Sequence, residues 1–250
     1  MKEIRFFYDP QISGELPEDE AKHATRVLRL SVGDELLLMD GNGCFFRAEI
    51  TVATGHRCLY KVLETMPQER AWEGHIHLAM APTKLNDRTE WFAEKATEIG
   101  MDELSFLDCR FSERRVIKCE RIDKILISAV KQSHKAWKPV LNEMTPFERF
   151  VKAERGGDKF ICHCYNEEDI EEPLSQTLPP MGGLKPFLMD VLQRGVETTV
   201  LIGPEGDFSV DEVKLALQNG YRSVSLGTSR LRTETAALVA VHMMQLKNQI

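Results

Sequence analysis

Leu201 to Ser209, LIGPEGDFS, breaks an apolar run with two glycines and a proline and then offers a helix start. Proline disfavours helical backbone in the residue before it, so Gly203 is pushed to an extended conformation and a strand ends there. Ser209 with Glu212 three positions on is a capping-box pattern, and Gly220 marks the far end of the helix it opens. The turn between lies outside the carboxyl end of a strand, where open α/β sheets bind ligands. Glycine-rich turns of this kind commonly cradle phosphate, but a P-loop carries Lys and Ser/Thr at fixed offsets, whereas this turn carries Glu205 and Asp207. Two carboxylates repel a polyphosphate. The turn suits a neutral or cationic ligand.

A second strand-to-helix junction, LGTSRLRTETAALVA, follows at Leu226. Leu226-Gly227 ends a strand, Thr233 or Thr235 is placed to cap the helix, and Arg230 and Arg232 project from the loop. One acidic and one basic loop at neighbouring strand ends make a better pocket than either alone. Upstream, HIHLAMA, ELSFLD, KFICHCY and TTVLIG read as strands, separated by helical patterns such as LNDRTEWFAEKATEIG and ERIDKILISAVKQS. In the first of these helices Leu85, Trp91, Phe92, Ala96 and Ile99 suit one apolar face, and Gly100 suits its end. This alternation predicts an open, mostly parallel α/β sheet over residues 71–250.

Residues 1–70 differ. One helix, EDEAKHATRVL after Pro17, sits among short β segments: Arg5 to Tyr8, DELLLMDG, CFFRAEITV and RCLYKVLET. That spacing suggests a small barrel. The 250 residues carry 42% hydrophobic and 28% charged side chains, an ordinary globular balance, and no apolar stretch approaches the ~18 residues needed to cross a bilayer. A cytoplasmic protein with no membrane partner is the expectation. The six cysteines form no Cys-x-x-Cys pair, and adjacent positions in Cys162-His163-Cys164 point to opposite faces of a strand, so no metal is expected. His75 and His77 share a face but have no third ligand nearby in sequence. A net charge of -7 argues against a general nucleic-acid coat protein, yet basic residues cluster at Arg26/Arg29, at Arg110 to Arg121 and at Lys131 to Lys138.

The paired motifs LIGPEGDFS..E and LG...LRTETAA, with RFF, HATRVLRLSVGDELLLMDGNG, KATEIGMDEL and KQSHKAWKP in the same order, resemble the 16S rRNA (uracil-N3)-methyltransferases of the SPOUT superfamily. The resemblance implies a PUA-like β-barrel at the N-terminus, a C-terminal α/β domain tied in a deep trefoil knot, and a homodimer. It implies S-adenosylmethionine as cofactor and, as substrate, 16S rRNA within the 30S subunit, methylated at N3 of uridine 1498 in the standard bacterial numbering. Carried over position by position, the donor pocket comprises His163 and Cys164, Leu201, Ile202, Gly203, Pro204, Glu205 and Gly206, and Leu226, Gly227 and Leu231. The chain departs from the pattern at Asp207, where a second glycine is usual, and at Ser229, where an arginine is usual; Arg230 is placed to stand in for the latter.

S-adenosylmethionine carries a sulfonium, the kind of cation the acidic turn suits. The N3 of uracil is protonated at neutral pH and is a poor nucleophile until the proton leaves, so a cation at O2 or O4 or a nearby base is required. Arg232 is the candidate for the cation, with Glu234 orienting it or assisting the proton's departure. Phosphate contacts are expected from Arg5, Arg26, Arg29, Arg114, Arg115, Lys135 and Arg230. Two alternatives stand: a SPOUT enzyme acting on a ribose 2′-oxygen, whose usual Gly-Asn-Glu and Ser-Leu-Asn runs are missing here, and an RNA-binding or assembly protein that has lost turnover.

Overall fold

A computed structural model of the chain describes residues 6–165 and 185–250. They form two compact units, Met1–Ala71 with Leu126–Lys138, and Trp72–Ile125 with Pro139–Ile250. The return of Leu126–Lys138 to the first unit rests on contacts that no local pattern announces. Lys131 Nζ meets Glu20 Oε1 at 2.6 Å, and Gly43 adopts φ +101 under Trp137, whose ring a Cβ at that glycine would strike at 2.3 Å.

In the first unit β1 (Phe6–Tyr8) pairs in parallel with β2 (Glu35–Met39), and β2, β3 (Cys44–Ala53) and β4 (Cys58–Pro67) follow antiparallel in that order. Phe7, Leu36, Leu38, Ala48, Ile50 and Tyr60 fill the core. The stretch read as one helix is α1 (Glu18–Lys22) continued by a π-helical turn over His23–Val27. Its wide turn is set where Leu28 N–H reaches back to the His23 carbonyl and the Thr25 hydroxyl bonds the Ala21 carbonyl at 2.8 Å, a bond that bends helices.

The second unit contains β5 (Ile76–Met80), α2 (Asn86–Ile99), β6 (Glu103–Asp108), α3 (Cys119–Gln132, its last turns counted with the first unit), β7 (Val140–Leu141), β8 (Thr145–Pro146), α4 (Phe147–Lys152) and β9 (Asp158–Cys162). It continues with α5 (Leu188–Val191), β10 (Thr198–Ile202), α6 (Val210–Gln218), β11 (Arg222–Val224) and α7 (Thr233–Gln249). The strands run parallel in the order β11-β9-β10-β5-β6-β7, with β8 also on β6. All five residues of β5 and of β10 are buried, as in a sheet covered on both faces.

The strand-helix alternation is as the sequence predicts, with two local differences. On α2, Phe92 and Ala96 are buried, but Trp91 is 44% exposed and Leu85, just before the helix, is 51% exposed. Trp91 lies about 100° around the helix from Phe92 and so cannot share its inward face. At α7 the N-cap is Arg232, without a side-chain capping bond, and Thr233 is already in the first turn. The capping box at Ser209 is present in both directions, Glu212 N–H to Ser209 Oγ at 3.3 Å and Ser209 N–H to Glu212 Oε2 at 2.8 Å. The S209A variant should lose about 1 kcal/mol in chemical denaturation, because an orphan N–H at the helix start loses its acceptor.

Candidate functional site

Pairing aligns three strand ends: Ile202 of β10 and Val224 of β11 both lie opposite Cys162 of β9. The loops leaving these ends enclose a cavity of about 960 Å³. That size suits a nucleoside-sized ligand. Its walls include Cys162 to Cys164, Ile202 to Asp207, and the whole run from Val224 to Glu234. Of the residues assigned to the donor pocket from the sequence, all line this cavity except Leu201. Leu201 is completely buried with Ala79, Ile161 and Phe208. Side chains alternate across a strand, so Ile202 faces the cavity and Leu201 cannot.

Asp207 explains how a non-glycine residue closes the turn. Its φ is +66°, left-handed backbone that Gly adopts freely and that Asp tolerates better than most residues. Its carboxylate then bonds outward in two directions, Oδ2 accepting from Cys164 N–H at 2.7 Å and Oδ1 from Phe208 N–H at 2.7 Å. The chain end of β9 and the turn after β10 are thereby fastened together. Glu205, in turn, accepts from Lys84 N–H at 2.9 Å, which ties the same turn to the loop between β5 and α2. Gly203 packs tightly on the turn: a Cβ there would lie 3.0 Å from Phe208 N and would press on its backbone.

His163 is buried, with Nε2 2.7 Å from Ser223 Oγ, and Lys185 donates to its carbonyl. Burial, and secondarily the Lys185 charge, push its pKa down to about 3. Burial also lifts the adjacent Cys162 thiol to about 12. Both groups are neutral at physiological pH. Because the unfolded histidine takes up a proton near pH 6.5 and the folded one only near pH 3, His163 contributes stability in full above pH 6.5 that is lost as pH falls toward 3. His77, lowered to about 4 chiefly by burial, acts in the same direction, while His75, raised chiefly by its bond to Glu103, opposes them. Between pH 7 and pH 5, denaturant titrations should show the wild type losing about 1–2 kcal/mol more than H163N.

Glu234, in the first turn of α7, is buried but for 8% and accepts from Arg88 Nη1 at 3.1 Å. The sequence reading paired Glu234 with Arg232; the structure gives it Arg88, 146 positions away, a partner without any local signal. Arg232 is exposed on the cavity wall, and its guanidinium makes no hydrogen bond or ion pair among the described residues. Arg230 and Ser229 are exposed on the same wall. Arg88 and Lys185 also line the cavity and were not foreseen.

The RNA methyltransferase domain family matches residues 70–245, and the RNA methyltransferase PUA domain matches residues 16–63. The chain belongs to the RNA methyltransferase domain family. Among curated proteins, ribosomal RNA small subunit methyltransferase E of Rickettsia conorii is 27% identical, over 93% of this chain and 89% of its own. Among solved structures, a probable rRNA-methyltransferase from Porphyromonas gingivalis is 40% identical, with a TM-score of 0.86, covering 98% of this chain and 99% of its own. A Legionella pneumophila protein solved with the cofactor SAM bound is 25% identical, with a TM-score of 0.83 and 98% of each chain covered. These likenesses extend across both units of this RNA methyltransferase.

The residues expected to meet RNA are divided between those units. Arg5 lies outside the described residues. In the first unit Arg26 Nε donates to the Gly55 carbonyl at 2.7 Å and its guanidinium contacts His56, Arg29 is exposed with φ +55, and half-buried Lys135 has its pKa lowered by burial. In the second unit Arg115 is paired with Asp108 at 2.5 Å, and Arg114 donates to the carbonyls of Thr83 and Lys84. Arg230 is the member of this set that lines the cavity. No metal-holding group of three His, Cys, Asp or Glu residues occurs among the described residues, and no described helix is long and apolar enough to cross a membrane.

Proposed function

We propose that this RNA methyltransferase transfers a methyl group from S-adenosylmethionine to N3 of uridine 1498 of 16S rRNA, in the 30S subunit, as a cytoplasmic homodimer. The observation that carries the reading is the cavity itself. It lies at three parallel strand ends, with Glu205, Asp207 and Glu234 among its walls and an uncommitted guanidinium, that of Arg232, facing into it. Its chemistry fits the donor: Ile202, Leu226 and Leu231 offer apolar surface for an adenine, and carboxylates offer a favourable field to a sulfonium. A threaded, knotted path is part of the proposal, supported by β11 lying beyond β9 while α7 returns to pack on α2, β5 and β10.

When bound, the donor supplies an electrophilic methyl group; the protein's own work is orientation and charge. The turn from Gly203 to Gly206 and the loop from Leu226 to Leu231 hold the donor, with Asp207 and Glu205 fixing the turn. Arg232 stabilises the negative charge that develops on uracil O2 or O4 as the N3 proton passes to solvent water and N3 becomes free to take the methyl group. Glu234, already committed to Arg88, holds the start of α7 and so the residue that caps it, Arg232. Its bond to Arg88 makes Glu234 a positioning residue in this reading rather than the base. N3 lies on the pairing edge, so the uridine enters unpaired.

The test is to incubate the protein with methyl-labelled S-adenosylmethionine and 30S subunits lacking the modification, then digest the RNA to nucleosides. Labelled 3-methyluridine is expected. Label on a ribose 2′-oxygen would favour the ribose-modifying alternative, and no label would favour a non-catalytic RNA-binding protein.

A further inference from the structure

Phe111 stands in the loop between β6 and α3 with 46% of its surface exposed. The loop is held firmly beneath it. Arg110 N–H donates to Glu212 Oε1 at 2.8 Å, Ser112 Oγ accepts from Cys109 N–H at 3.1 Å, and Arg114 grips the Thr83 and Lys84 carbonyls. The loop runs along the Gly-Pro-Glu-Gly turn: a Cβ on Gly206 would lie 3.2 Å from Phe111 Cβ, and Lys84, held by Arg114, donates its N–H to Glu205. Gly206 and Glu205 line the cavity, so the ring stands at its lip.

The charge around the ring is mixed, with Arg110 paired to Asp211 at 3.1 Å and Lys84 to Glu113 at 2.7 Å. Arg114 bonds carbonyl oxygens and carries no carboxylate partner among the described residues, and neither do Arg230 and Arg232. An exposed aromatic ring on a tied-down loop, with the Arg114 guanidinium three residues along it unmatched by a carboxylate among the described residues, offers what single-stranded nucleic acid recognition needs: a face for a base and a cation for the backbone. Arg110 Cζ lies 5.9 Å from the ring centroid, at the outer limit of a cation–π contact.

We infer that Phe111 is a stacking platform for an unpaired base of the RNA next to the uridine in the cavity, with Arg114 supplying positive charge for its backbone. The inference rests on the reading of the chain as an RNA methyltransferase acting on an extruded base. The stacked partner is a neighbouring nucleotide, and the interaction adds to substrate binding without touching the methyl donor.

The experiment compares wild type, F111A, F111L and F111Y in methylation of unmodified 30S subunits, with donor affinity measured by calorimetry. F111A and F111L should raise KM for the subunit by about tenfold or more, leave the donor Kd unchanged and alter kcat little, and F111Y should restore wild-type KM. In F111W, tryptophan emission should be quenched by a single-stranded RNA oligonucleotide spanning the target. Wild-type KM in F111L, or quenching no greater in F111W than in wild type, would overturn the inference. So would a change of oligomeric state in F111A, which would make the ring a contact between copies. If wild type itself neither methylates nor binds RNA, the underlying reading fails instead.

Discussion

Replacing Arg232 with alanine lowers the rate of methyl transfer by about 10²–10³-fold and leaves the affinity for S-adenosylmethionine within a few-fold of wild type. Arg232 faces the cavity without a protein partner among the described residues, so its charge is available for the negative charge that appears as uracil N3 loses its proton. That charge exists in the transition state and not in the bound donor, which is why rate and donor affinity separate. R232K keeps the charge but loses the planar fork, and an intermediate rate is expected. Single-turnover kinetics with calorimetry for the donor make the comparison. Equal losses in rate and affinity would assign Arg232 to donor binding.

The second large effect is at Asp207. D207A removes two short charge-assisted bonds, to Cys164 N–H and Phe208 N–H, and places a Cβ-bearing residue without a polar side chain at φ +66. Half-buried as it is, the site should lose about 2–4 kcal/mol of stability, with weaker donor binding because the turn and the end of β9 are no longer joined. D207G isolates the causes: it accepts the backbone conformation but not the bonds, so it should recover the conformational share only, about 1 kcal/mol. D207N keeps one acceptor oxygen and should fall between D207G and wild type. Denaturant midpoints and calorimetric donor affinities across the three variants check the order; D207G as stable as wild type would show that the bonds contribute nothing.

Much of the site was legible because it is local. Gly203-Pro204 ends β10, Ser209-Glu212 starts α6, and the two loops from neighbouring strand ends do meet in one cavity. What the sequence misjudged depends on the third dimension. Leu201 belongs to the right strand but to its other face, and a one-residue step decides core or cavity. Trp91 fits an apolar helical pattern, yet the arc of α2 that packs inward stops at Phe92. Arg88 sits in an unremarkable first turn of α2, and only the fold carries it to Glu234. Asp207 stands where a glycine is usual. Its turn replaces conformational freedom with two hydrogen bonds.

A methyl group on N3 blocks Watson–Crick pairing, so reverse transcriptase stops beside a 3-methyluridine. The central claim is tested most directly by primer extension on 16S rRNA from unmodified 30S subunits treated with the protein, with and without S-adenosylmethionine. One new, donor-dependent stop next to uridine 1498, missing with R232A, is the predicted result. No donor-dependent stop, or stops scattered along the RNA, would contradict the assignment.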